Sequence, residues 1–299
     1  MTTGALNQLL ADLQARRVAG GVAGKPQESD PRADATAWTL LALRACRDVQ
    51  PGSSERSALA VALRDDLSSM QYVDGRVPLS PNTSTAYWPT ALACLAWNSS
   101  AAHREARDRA VGFLLGRAAG LSVPKSPYVG HDSTLVGWSW IQATHSWVEP
   151  TSMALVALAL AGSSDHDRCQ DAERLLLDRQ LEAGGWNYGN TVTFGQQMRP
   201  APDSTGAALT ALAARRASRT SVDSSLDYLA EIYPRLRSPL SVGWSILGLA
   251  AWNRRPTDAE EKITGVLARQ AVLGSFDSTL LALLGVAWSA ASGMEASLR

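Results

Sequence analysis

The chain has 299 residues, 45% of them hydrophobic and 19% charged, and its 28 basic residues cancel its 28 acidic ones. A neutral balance offers no basic face, so neither nucleic acid nor an anionic membrane surface is an expected partner. The apolar content is enough for a large core, and no apolar run reaches the roughly 18 residues that span a bilayer, so no transmembrane segment is expected.

The opening stretch, MTTGALNQLLADLQARR, carries polar and acidic residues inside its apolar pattern. It lacks a signal-peptide core and cleavage site, which predicts a cytoplasmic protein. Cys46, Cys94 and Cys169 fall in helical stretches and suit reduced thiols better than a disulfide framework.

In chain order one pattern recurs: an acid, any residue, Thr, then an apolar helix. It appears as DATAWTLLAL from Asp34, EPTSMALVAL from Glu149, DSTGAALTAL from Asp203 and DSTLLALLGV from Asp277. Degenerate copies, YWPTALACL around Trp88 and SVGWSILGL around Val242, complete six. The anchors Thr36, Trp88, Thr151, Thr205, Val242 and Thr279 are 52, 63, 54, 37 and 37 residues apart, room for a helical hairpin and a variable loop each.

Between anchors, residues 103–117, 167–180 and 257–270 alternate apolar and charged residues at helical spacing, so each has one wet face. The anchor helices are apolar nearly all round and must be buried on every side. Alternation of the two kinds predicts an all-α fold, an (α/α)6 toroid with an inner ring of six helices inside an outer ring of six, over residues 1–299 as one domain. The long connections, about residues 18–33, 72–86, 118–148 and 181–202, all lead into buried helices. They are expected to gather at one mouth of the toroid, where long loops are usually functional.

The stretch AERLLLDRQLEAGGW, Ala172 to Trp186, resembles the Gln-and-Trp repeat of squalene and oxidosqualene cyclases. Weaker copies run from Gln14 to Val22, Gln71 to Val77 and Gln270 to Phe276. Gly137 to Thr151 and Gly184 to Asn190 are similar to bacterial proteins with prenyltransferase or squalene cyclase repeats. The chain is thus identified as resembling the terpene cyclase and protein prenyltransferase superfamily, as one toroid rather than two.

The resemblance implies an isoprenoid or similar small apolar molecule in a central cavity, transformed by acid-initiated cyclisation or isomerisation without a cofactor. The superfamily's protonating motif, Asp-x-Asp-Asp-Thr-Ala, corresponds here to Arg32 to Ala37, where only the central acid, Asp34, remains. The Asp-x-Cys zinc pair of protein prenyltransferases is spelled only at Asp167 to Cys169, in an amphipathic helix away from the mouth, and no metal site is expected. The Cys-Gly-x-x-Gln of thioester toroids is absent.

Asp34, Glu149, Asp203 and Asp277 each begin a buried helix. Helix capping would explain all four, since an Asp oxygen there accepts an orphan backbone N–H for about 1 kcal/mol. The catalytic reading is that several converge on one cavity mouth, where desolvation and like charge hold a carboxylic acid protonated near neutrality. Glu149, Asp203 and Asp34 are the candidate proton donors, and Arg32 beside Asp34 would favour its ionised form.

His131 and His145, in the longest loop, are further catalytic candidates, with Asp132 beside the first as a substrate contact. His103 and His166 begin amphipathic helices and are expected to be solvated. Ten tryptophans suit a cavity that handles carbocations, and Trp38, Trp138, Trp147 and Trp186 are its candidate lining. Trp97, Trp252 and Trp288 are read as packing residues. Alternative readings are a non-catalytic toroid that binds a lipid, peptide or protein partner, and a zinc-dependent prenyltransferase.

Overall fold

The computed structural model describes residues 2–47, 54–116, 121–125 and 129–298. Arg117, at the end of one predicted helix, and residues 118–120 and 126–128 of the longest loop lie outside the described residues. In chain order the elements are α1 (Thr2–Ala15), the hairpin β1 (Arg17–Val18) and β2 (Gly21–Val22), α2 (Ala33–Ala45), α3 (Ser54–Ser69), α4 (Pro89–Trp97), α5 (Arg104–Gly116), α6 (Val148–Leu160) and α7 (Asp167–Asp178). There follow the hairpin β3 (Val192–Thr193) and β4 (Gln196–Gln197), α8 (Pro202–Ala214), α9 (Asp223–Ile232), α10 (Pro239–Ala251), α11 (Ala259–Ala268), α12 (Gln270–Leu273), α13 (Ser278–Ser289) and α14 (Met294–Ser297).

The apolar helices form a closed ring: α2 packs on α4, α4 on α6, α6 on α8, α8 on α10, α10 on α13, and α13 back on α2. Around it, α3, α5, α7, α9, α11 and α1 lie against α2, α4, α6, α8, α10 and α13 in turn. The fold is therefore all-α, two concentric rings, as the alternation of helix types predicts. Burial follows the same logic. In the outer α7 only Cys169, Ala172, Leu175 and Leu176 are buried, one stripe at helical spacing, whereas in the inner α6 every residue from Pro150 to Leu158 is buried.

All inner helices begin at one end. Backbone bonds tie three of the starts to a neighbouring loop: the Ala33 N–H donates to Leu79 O, Val148 N–H to Tyr188 O, and Ser278 N–H to Gly24 O. The long loops thus share the predicted mouth.

The recurring Thr has a mechanical role. Thr36 Oγ1 accepts the Val22 N–H at 2.9 Å, Thr90 that of Val77 at 2.9 Å, Thr151 that of Trp138 at 3.0 Å and Thr205 that of Trp186 at 2.9 Å. Each hydroxyl also donates to a nearby carbonyl, Arg32 O, Tyr87 O, Trp138 O and Trp186 O respectively. Val22, Val77 and Trp186 end the Gln-to-Trp segments, so the two sequence repeats are halves of one clamp. The second anchor is therefore Thr90, and not Trp88 as read from the sequence. At α13 the clamp passes to Ser278, whose Oγ donates to Ala23 O at 2.6 Å, while Thr279 bonds Asp277.

Two tryptophans take up part of the space inside the inner ring. Trp38 of α2 and Trp244 of α10 meet edge to face, with ring centroids 5.9 Å apart, although α13 separates their helices in the ring. The two indoles therefore meet across the interior. They are 6% and 1% exposed, and walls of a wide void would show more accessible surface than this. Gly206 and Gly248 let α8 and α10 close up, since a Cβ on Gly206 would stand 2.2 Å from the Trp244 carbonyl oxygen. Trp38 and Trp244 thus fill part of the interior between α2, α13 and α10.

Thr151→Val keeps the shape of its clamp but orphans the buried Trp138 N–H, which is expected to cost about 1–3 kcal/mol in chemical denaturation. A midpoint unchanged from wild type would remove the clamp from the account of the fold.

Candidate active site

The mouth is ringed by the first turns of the inner helices, and its acids do not play the capping part that their sequence position suggests. The N-caps of α2, α6 and α8 are Arg32, Trp147 and Ala201, so Asp34, Glu149 and Asp203 each sit one residue inside the helix start, at the second helical position. None of these three N-caps is made by a side chain. Only Asp277 caps, accepting the Thr279 N–H at 3.0 Å.

The four acids form two contrasting pairs. On adjacent α2 and α13, Asp34 and Asp277 share one cation: Arg32 Nε donates to Asp34 Oδ1 at 3.0 Å, its Nη2 to Oδ2 at 2.5 Å, and its Nη1 to Asp277 Oδ2 at 2.8 Å. Asp34 is thereby committed to a two-pronged ion pair, and the expectation that it donates a proton is withdrawn. These contacts push the Arg32 guanidinium up against the desolvation that opposes them.

On adjacent α6 and α8, Glu149 lies within electrostatic reach of Asp203, with no cation among the described residues paired to either. Glu149 keeps some solvent contact but is crowded by protein, and burial, with the charge of Asp203 second, pushes its carboxyl up to about 7. Asp203, 8% exposed, is also raised by burial, opposed by a bond from its own backbone N–H. The Asp203 charge and desolvation together raise the Tyr228 phenol of α9, whose hydroxyl donates to Pro200 O at 3.0 Å.

The other candidates divide sharply. His131, His145 and Trp147 line one cavity beside the mouth, and the His145 and Trp147 rings are 6.0 Å apart. Asp132 is outside it: salt-bridged to Lys125 at 2.7 Å and bonded to the Thr134 hydroxyl and N–H, which hold its carboxyl down near about 2, it pins its own loop. Trp138 and Trp186 are not cavity lining. Their indole N–H groups donate to Leu114 O of α5 and Leu176 O of α7, at 2% and 0% exposure, so both are wedged between the rings. Trp38 points inward but meets Trp244 rather than open space.

Trp97 and Trp252 are buried packing residues, with N–H groups on Arg64 O and Leu209 O. His103, expected in solvent, is 8% exposed and bonded to Asp65 and Ser100. His166 is exposed and caps α7. Cys169 is buried with its thiol donating to Ser163 O.

Three mouth residues escaped the sequence reading. Trp88 and Trp140, both half-buried, form an edge-to-face pair at 5.2 Å at the start of α4, and Arg179 enters the cavity of His131. Trp140 lies in the stretch from Gly137 to Thr151, but its role depends on how two loops meet, and Arg179 is spelled like any charged residue of an outer helix.

No protein-family model matches the sequence, and no curated protein matches it. Solved structures do. The GH76A α-1,6-mannanase from Salegentibacter sp. HEL1_6 superposes with a TM-score of 0.65 at 12% identity, covering 100% of both chains. A variant of the type II terpene cyclase MstE from Scytonema does so at 0.62 and 13%, covering 99% of this chain and 97% of that one. An α-amylase from Clostridium perfringens gives 0.62 at 10%, covering 96% and 98%. The chain has the (α/α)6 toroid fold. These neighbours are enzymes of different classes, so the likeness extends to architecture alone.

Among the described residues no helix is long and apolar enough to cross a membrane.

Because the folded state holds Glu149 protonated to about 7 against a free value near 4.5, its contribution to stability is complete below pH 4.5 and is lost as pH rises through 7. Between pH 5 and pH 8 the wild type is expected to lose about 2–3 kcal/mol relative to Glu149→Gln, read from paired denaturation curves. Parallel stability profiles would show that Glu149 is not desolvated.

Proposed function

We propose that this chain is an enzyme of acid–base chemistry in which Glu149 donates a proton and ionised Asp203 supports the charge that develops. One observation carries the reading. Two carboxyls stand at the starts of adjacent inner helices, desolvated and without a cation, while the equivalent pair on α2 and α13 is neutralised by Arg32. Retaining an uncompensated pair costs stability, and a donor poised near 7 suits proton transfer at neutral pH.

The interior bears on the substrate. A polyisoprene that folds around a carbocation needs a deep dry hollow, and Trp38 with Trp244 takes up part of that space. A shallow mouth with two carboxyls and half-buried indoles at Trp88 and Trp140 fits a glycoside better. There a raised carboxylic acid protonates the glycosidic oxygen, and the second carboxylate either activates water or attacks the sugar. We therefore rank glycoside cleavage first. The second reading is acid-initiated cyclisation or isomerisation of a short isoprenoid. It is favoured by the Gln-to-Trp segments and by inward indole faces able to stabilise a cation.

Incubation with α-linked oligosaccharides and with isoprenoid alcohols, followed by mass spectrometry, separates the two. Turnover of either class is expected to fall about 100-fold or more in Glu149→Gln and in Asp203→Asn with the fold intact. The pH profile should be a bell whose alkaline limb lies near 7. Full turnover in both amide variants would overturn the assignment. Retention of a ligand without conversion would instead favour the non-catalytic toroid.

A further inference from the structure

Beside the mouth, residues 121–124, 129–133, His145 to Trp147 and the turn at Gly189 enclose a cavity of about 260 Å³. Its floor is Arg179, whose side chain is 6% exposed. Arg179 Nη1 donates to Gly189 O at 2.7 Å, but Nε is buried without a hydrogen-bond partner, the carboxylate of Asp178 being 3.9 Å away. In the same wall His131 Nδ1 is also buried and unpartnered. A buried cation and a buried ring nitrogen left unsatisfied cost free energy unless something accepts from them.

We propose that this cup binds the oxyanion, carboxylate or phosphate, of a small organic ligand, with Arg179 and His131 as donors and Trp147 as an apolar wall. The nearby acids are already engaged elsewhere. Asp178 accepts the Asp132 backbone N–H at 2.9 Å, and Asp132 is held by Lys125 and Thr134, so neither carboxylate fills the cup. Burial, opposed by Asp178 and Asp132, lowers the Arg179 guanidinium. Burial and the Arg179 charge lower His131, while Asp178 and Asp132 act the other way. An oxyanion on these two donors reverses both penalties. The inference does not rest on the chemistry of Glu149 and Asp203, because the cup uses other residues and its test reads binding.

Calorimetric titration of the full chain with benzoate and with inorganic phosphate tests it and distinguishes a carboxylate on an apolar body from a free phosphate. Saturable binding of at least one is expected, weakened about tenfold or more in Arg179→Met and several-fold in His131→Gln. Bound oxyanion should also move the His131 ring titration upward in proton NMR. If Arg179→Met fails to fold, His131→Gln and the ring titration decide alone. Absence of saturable binding by both anions, or equal affinity in the folded variants, overturns the proposal.

Discussion

The structure depends on a hydroxyl clamp between four of its inner helices and the loops that lead to them. In four of the six copies one Thr side chain accepts a backbone N–H from the loop and donates to a carbonyl close by, within a shell where an unpaired N–H would be costly. The clamp fixes where the loop crosses the helix start. Repeated around a closed ring, it brings every long connection to one face and leaves the opposite face to short turns.

That arrangement explains why charge collects at the mouth. Position two of α2, α6 and α8 lies two residues before the clamp, beside the N-terminal end of the helix dipole, which favours an anion. Four of the six copies carry an acid in or next to this first turn, and neighbouring helices bring the acids together in pairs. Arg32 neutralises one pair and Tyr228 merely borders the other. The same backbone geometry therefore yields an inert ion-pair cluster on one side of the ring and a desolvated, protonatable pair on the other.

Packing then decides how far a substrate can enter. The close approach of α8 and α10 through Gly206 and Gly248, with Trp38 against Trp244, narrows the interior of the toroid. The mouth is bordered by Trp88 with Trp140 and by the cup of Arg179 and His131. Two of the expected lining residues, Trp138 and Trp186, serve instead as bolts between the rings, their indole N–H groups occupied by outer-helix carbonyls.

Periodicity alone determined the all-helical class, the alternation of buried and half-buried helices, the six-fold repeat and the gathering of loops at one end, because burial on all sides or on one leaves its mark in consecutive residues. It also singled out Glu149 and Asp203, as members of a repeating pattern. What only the tertiary structure decided is which acid meets which cation. Asp34 and Glu149 occupy equivalent places, yet their fates differ because Arg32 reaches both Asp34 and Asp277, 245 residues on, while among the described residues no cation pairs with Glu149 or Asp203. Likewise a tryptophan reads the same in sequence whether its ring faces a hollow or wedges two helices, since that choice is made by the partners that packing brings to it.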